Sequence, residues 1–140
     1  MKKLFLLTSI LLLSVSCSYD TIYDGAIVET EYITIFPTDW IANVTAQSRN
    51  EGFASATFRM PIITPAVIKR GAVMCYLVGN EHDDPLPFSV TQRVGIDIFT
   101  NTLSFDVASG SIRFISENSD LILTIPNWSM TIKVVTIVNP

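Results

Sequence analysis

The sequence has little cysteine and little histidine. It contains two cysteines and one histidine among 140 residues. So few cysteines exclude a fold held together by several disulfides. A Ser-His-Asp site would have to use His82, and the sequence lacks the Gly-x-Ser-x-Gly elbow, a phosphate loop and a dinucleotide glycine fingerprint. Nothing in the sequence pairs any two carboxylates for a hydrolase. We therefore expect no catalytic residue, no metal and no cofactor, and a hydrolase is the last of the alternatives.

Basic residues are also few. The chain has nine Lys and Arg against 13 Asp and Glu, and without Lys2 and Lys3 seven basic residues remain, a net charge of −6. Nucleic-acid binding requires clustered basic residues that neutralise phosphates, and docking on anionic lipid requires them as well. The composition therefore argues against a nucleic-acid partner and against electrostatic membrane binding.

The N-terminus is typical of a secretory signal. Lys2 and Lys3 precede an apolar run, Leu4 to Leu13, of about ten residues, which at ~1.5 Å per residue is too short for a ~30 Å membrane core. Cys17 follows small residues and resembles the cysteine of a bacterial lipobox, although Ser14 stands where Leu is usual. This resemblance implies a signal peptide over residues 1–16 and a lipidated, palmitate-bearing Cys17. The alternative is a plain secreted protein that is cut near Ser16 or Ser18.

A lipid on Cys17 predicts an anchored protein of the bacterial cell envelope, at the outer membrane, facing either the periplasm or the medium. Residues 17–28 show no clear period and are predicted to be a flexible tether. Within them, Asp20-Thr21-Ile22 resembles the O-glycosylation triplet of Bacteroidota, which makes Thr21 a candidate site. Cys75 then has no disulfide partner; its apolar surroundings favour a buried, inert thiol over a catalytic nucleophile.

From residue 29 to residue 140 the pattern is β. Short runs of β-branched and aromatic residues alternate with turn residues, which predicts one all-β domain, an antiparallel β-sandwich of Ig-like or jelly-roll-like form with about seven to nine strands. Residues 64–70 are the exception. Thr64 as N-cap, Pro65 at the first position and Gly71 after the end predict one short helix.

Three further segments carry specific predictions. Thr100-Asn101-Thr102 is predicted to be a hairpin loop, and Leu121–Ile125 a short strand. Met130–Val138 is predicted to pair inside a sheet, because an uncovered apolar edge promotes aggregation.

Two groups of side chains are candidate sites. Glu81-His82-Asp83-Asp84 is the densest polar cluster, but adjacent residues cannot all face one ion, so a solvated loop is favoured over a metal site. Trp40 and Trp128 lie near strand ends, where they either contact a ligand or close the ends of the core.

A series of features follows one another from Trp40 onward: Trp40, Phe53–Phe58, Pro61-Ile62-Ile63-Thr64, Gly71-Ala72-Val73, Leu86-Pro87-Phe88 and the strand Thr131–Ile137. In this order of features the chain resembles uncharacterised small β-domain lipoproteins of gut Bacteroidota. These relatives often have a Trp where this chain has Glu81–Asp84. The resemblance implies a single β-domain on a lipid anchor, and it assigns no catalytic residue.

Together these patterns predict a non-catalytic binding module for an envelope protein or glycan. The alternative is a structural or accessory subunit of a surface assembly. An exposed aromatic strip would favour a glycan, and an open strand edge would favour assembly.

Overall fold

The computed structural model describes residues 25–45 and 48–139, which form two antiparallel sheets. Nine strands and one α-helix make up this part of the chain: β1 (Ile27–Ile35), β2 (Ile41–Thr45), β3 (Ser48–Arg59), α1 (Pro65–Arg70), β4 (Gly71–Val78), β5 (Asp83–Pro85), β6 (Phe88–Val94), β7 (Asp97–Ala108), β8 (Ser111–Asn118) and β9 (Met130–Val138). A 3-10 turn, Pro37–Asp39, separates β1 from β2. Sheet A has the order β1-β9-β4-β5, and sheet B has the order β2-β3-β8-β7-β6. The predicted antiparallel sandwich is confirmed.

The two sheets meet through one apolar core. Both sheets contribute inward-facing side chains to it, and the most deeply buried include Phe114, Ile35, Ile112, Ile132 and Val134. The ring of Phe58 lies 6.2 Å from that of Phe114, centroid to centroid, in a tilted arrangement. This spacing is within the range of favourable aromatic pairs, so the two rings link β3 to β8 on the inner face of sheet B.

Strand β9 alternates between buried and half-buried residues, as expected of a strand with one face on the core. It pairs with β1 on one side and with β4 on the other. The prediction that Met130–Val138 pairs inside a sheet is confirmed.

Helix α1 begins and ends as predicted. The Thr64 hydroxyl accepts a hydrogen bond from the Val67 amide at 3.2 Å, and Pro65 occupies the first turn. Gly71 has an extended backbone with φ −120, so it does not adopt the left-handed conformation that often follows a helix. A Cβ atom at this position would collide with the Ile137 carbonyl oxygen. Glycine is needed here because α1 joins β4 where β4 meets β9.

Three predicted boundaries were wrong. Residues 100–102 lie inside β7, which pairs with β6 and β8, and the turn comes earlier, around Gly95 at φ +65. Residues 121–125 form no strand and contribute only a single bridge between Glu51 and Ile122. Ile27 and Val28, assigned above to the tether, belong to β1.

Candidate functional site

A cavity of about 220 Å³ lies between the sheets, beside the edge strand β6. We call it the Trp128 pocket. Sheet B contributes one wall, sheet A another, and the segment before β9 a third. The lining side chains belong to Leu77, Phe88, Val90, Gln92, Asn101, Leu103, Ser116, Pro126, Trp128 and Met130. None of them is ionisable, so the lining is neutral and mostly apolar.

The period of the strands explains this lining. Phe88, Val90 and Gln92 are two residues apart on β6 and therefore face the same side. Asn101 and Leu103 follow the same rule on β7. The inner face of sheet B changes from apolar to polar along its length, and the pocket lies where that change occurs.

An amide network forms the polar part of this wall. The Asn101 side-chain amide donates to Ser116 Oγ at 3.2 Å and to Asn118 Oδ1 at 2.8 Å. The amide of Asn118 in turn donates to the Ile122 carbonyl and to Thr124 Oγ1, both at 2.9 Å. Both hydrogens of the Asn101 amide are thereby used in bonds within the wall of the pocket.

The same network holds the segment that carries Trp128. Asn118 is 3% exposed and ties β8 to residues 122 and 124, and Gly52 donates its amide to the Leu121 carbonyl at 2.9 Å. Leu121 has φ 63, an uncommon conformation for a residue with a side chain. These bonds fix the start of the segment, whose later residues Pro126 and Trp128 line the pocket.

The structure separates the two tryptophans. Trp128 is 53% exposed and lines the pocket, whereas Trp40 is 6% exposed and belongs to the core. The indole nitrogen of Trp40 is buried without a hydrogen-bond partner among the described residues. Of the two candidate ligand contacts, only Trp128 offers surface to a ligand.

The polar side chains of residues 81–84 do not converge on one point. Asp83 lies at the start of β5 and forms an ion pair with Lys133, whereas His82 is exposed and its Nε2 lies 3.5 Å from Asp84 Oδ1. The hydrogen bond that the Lys133 ammonium donates to the Asp83 carboxylate raises the pKa of Lys133. No group of three His, Cys, Asp or Glu side chains positioned to hold a metal occurs in the part of the chain that the structure describes.

Cys75 is 2% exposed and lies on the inner face of β4. Burial raises the pKa of its thiol to about 12. Because the thiolate is the nucleophilic form, this thiol is inert near neutral pH.

An aromatic row crosses the outer face of sheet A. Tyr32, Lys133 and Tyr76 are direct neighbours on β1, β9 and β4. The Lys133 ammonium lies 4.8 Å from the centre of the Tyr76 ring, and Tyr32 is 64% exposed. The sequence alone does not predict this row, because the three residues become neighbours only through the register of three strands.

Of the residues that line the pocket, only Trp128 was predicted from the sequence as a ligand contact. The other lining residues look like ordinary strand residues, and they come together from five strands and one connecting segment. The one local signal was the alternation Phe88, Val90, Gln92, which places an amide at the end of an apolar face.

No family model, curated protein or solved structure matches this chain. Among the described residues, no helix is long and apolar enough to cross a membrane. The predicted signal peptide (1–16), the lipid site Cys17 and the glycosylation candidate Thr21 lie outside the described residues.

Proposed function

We propose that this protein is a non-catalytic binding module of the bacterial cell envelope, and that its ligand inserts an uncharged, largely apolar group into the Trp128 pocket. The observation that carries the proposal is the half-exposed indole of Trp128 beside a neutral cavity. Apolar surface that becomes buried contributes roughly 25 cal/mol per Å², and tryptophan is among the residues that most often dominate binding energies.

The size and polarity of the pocket limit what it binds. At about 220 Å³ it is smaller than the ~300–1,000 Å³ of pockets that enclose a whole drug-sized ligand, so it holds one group of a larger molecule. An ionised group would lose its hydration there without gaining a partner. The lining also offers no general acid or base, which supports binding over hydrolysis.

The location of the protein is part of the proposal. A lipidated Cys17 would anchor the domain to the envelope, at the outer membrane, as the resemblance to small Bacteroidota lipoproteins implies. Several acyl chains give stable membrane attachment without a basic surface, which suits an acidic domain. The ligand is then an envelope protein or a glycan.

The experiment uses the native, full-length lipoprotein. It is solubilised in detergent, used to capture partners from envelope extracts, and applied to a glycan array. The Trp128→Ala variant tests the pocket, and Ile68→Ala serves as a matched control, because it removes an exposed apolar side chain from α1, at the opposite end of β4 from Leu77.

The proposal predicts a ligand that the parent and Ile68→Ala retain and Trp128→Ala loses. A ligand lost instead by Tyr32→Ala would place the site on the aromatic row of sheet A. Equal binding by all variants, or no ligand in either assay, would overturn the proposal.

The structural or accessory subunit remains a second candidate because the edge strand β1 exposes the apolar side chains of Ile27 and Val28 at its start. Among the described residues, this strand of nine residues pairs with β9 alone. An assembly role predicts a stable complex in native extracts that Trp128→Ala leaves intact.

A further inference from the structure

Sheets A and B end in four edge strands, and three of these have features that discourage pairing with another chain. β1 exposes Glu29 and Glu31, and β5 is three residues long and ends in Pro85. β2 has five residues and loses register at Val44/Thr45. Charges, proline, shortness and bulges are the usual protections of a sheet edge.

β6 has few of these protections. Its seven residues contain no proline and a single charged side chain, Arg93. Among the described residues, β6 makes no backbone hydrogen bond except to β7. Alternate amide and carbonyl groups of β6 therefore face outward without a backbone partner.

The open edge adjoins the Trp128 pocket. Phe88, Val90 and Gln92 reach from β6 into the cavity. A strand added to this edge would lie about 4.8 Å away and would continue the inner face of sheet B. One of its inward-facing side chains would then stand next to the pocket.

We propose that the edge of β6 and the Trp128 pocket together bind an extended peptide segment. The peptide backbone pairs with β6, and one apolar side chain enters the pocket. Backbone bonds supply affinity and the pocket supplies selectivity, as in other cases of strand addition. The inference rests on the proposed function, since it names the ligand class of the same pocket.

The pocket favours a free segment over a second copy of this chain that pairs through its own β6. In a second copy, the inward side chains of β6 are Phe88, Val90 and Gln92, which already line that copy's own pocket. They are not available to enter a neighbour. An unpaired segment has side chains free on both faces, so one of them is available to enter the pocket.

Charge defines the peptide further. Arg93 is exposed on β6 and forms no ion pair with any described residue. Side chains directly across neighbouring strands interact, and opposite charges are favourable. An acidic residue beside the inserted apolar residue therefore fits this edge better than a basic one.

The test uses the full-length protein in detergent and terminally blocked synthetic peptides of threonine. The central residue is leucine or aspartate, and its neighbour is glutamate or lysine. Binding is followed by tryptophan fluorescence, since Trp128 lines the pocket while Trp40 is buried. Amide hydrogen exchange over residues 88–94 reports strand pairing.

We expect the leucine peptide with glutamate to bind and to protect the amides of β6. Central aspartate should weaken binding about tenfold or more, and Ile68→Ala should leave it unchanged. Trp128→Ala should also weaken binding about tenfold or more, and because this variant lacks the fluorescent reporter, its binding is followed by the amide exchange of β6. Arg93→Glu should reverse the preference for glutamate over lysine.

Peptide N-methylation separates strand pairing from simple side-chain binding. Two further leucine peptides carry N-methyl groups on alternate amides. The first is methylated on one set of alternate amides, and the second on the other set. Because a strand pairs through every second amide, only one of the two should lose binding. If both bind equally well, strand addition is wrong and the pocket alone remains.

The remaining outcomes also discriminate. No fluorescence change with any peptide at about 1 mM, a binding energy of only ~4 kcal/mol, would overturn the inference. A Trp128-dependent glycan hit in that case would leave the proposed function standing with another ligand class. If the parent protein instead forms a dimer through the edge of β6, a second copy of the chain is the occupant, and the inference is equally overturned.

Discussion

Asn101 and Asn118 are direct cross-strand partners on β7 and β8, and the amide of Asn101 donates to Oδ1 of Asn118 at 2.8 Å. The pair joins the wall of the Trp128 pocket to the segment that carries Trp128, because Asn118 also bonds to Ile122 and Thr124. Pocket shape and chain path therefore depend on the same two amides.

Replacing Asn118 with alanine should destabilise the domain. The substitution removes the partner of an Asn101 donor and of the Ile122 carbonyl, and an unsatisfied polar group costs about 1–3 kcal/mol where it is buried. Urea unfolding of the parent and the variant measures the difference. Asn127→Ala, at an exposed position, is the control, and an equal loss in both variants would contradict a special role of the network.

The two tryptophans should respond differently to truncation. Trp40→Ala removes a core side chain and should cost about 3–5 kcal/mol in the free energy of unfolding. Trp128→Ala should cost about 1 kcal/mol, since half of its surface is already exposed. Denaturant unfolding decides this, and a larger loss for Trp128 would assign it to the core.

Gly71→Ala should lower stability by about 1–3 kcal/mol, the usual effect of forcing an added group into a packed site. The added methyl would meet the Ile137 carbonyl where β4 pairs with β9. Gly25→Ala, with open space around its Cα, should be neutral. Thermal unfolding of both variants provides the measurement, and a neutral Gly71→Ala would contradict the close approach.

Cys75 predicts a loss of stability at alkaline pH. The folded pKa of about 12 lies above the ordinary value of 9.0, so the unfolded chain releases its thiol proton first. Between these values the unfolded state binds fewer protons, and the free energy of unfolding falls as pH rises; below pH 9 the effect is absent.

Comparison with Cys75→Ala separates the contribution of the Cys75 thiol from that of the other groups that titrate at alkaline pH. The variant should show a shallower decline in stability between pH 9 and 12. In addition, a thiol reagent at pH 8 should leave the folded parent unmodified and should label it in denaturant. Rapid labelling of the folded protein would show that Cys75 is accessible.

The sequence predicted elements whose signals are local. Thr64, Pro65 and Gly71 define α1 within eight residues, and the alternation of β9 is complete within its own length. The hairpin loop predicted at Thr100-Asn101-Thr102 was wrong, because polar residues usually mark turns. Here Asn101 faces inward, and its side-chain amide donates hydrogen bonds to Ser116 and Asn118. That compensation depends on residues 15 and 17 positions away.

The same limit applied to the site. Trp40 and Trp128 look alike in the sequence, since each stands beside a strand and next to polar residues. Their different exposure depends on which of the two side chains the rest of the fold covers. A local sequence pattern does not contain this information. The pocket wall likewise depends on the pairing of β6, β7 and β8.

The position of β9 has a consequence for the order of folding. Within sheet A, β1 has no partner except β9, and Ile27 pairs with Val138 at the far end of the described chain. Sheet B and the β4–β5 pair use strands that are all synthesised earlier. During synthesis β1 must therefore wait with its hydrogen-bonding groups unpaired until Met130–Val138 has emerged. Such long-range closure slows folding, so the completion of sheet A is expected to limit the folding rate of the domain.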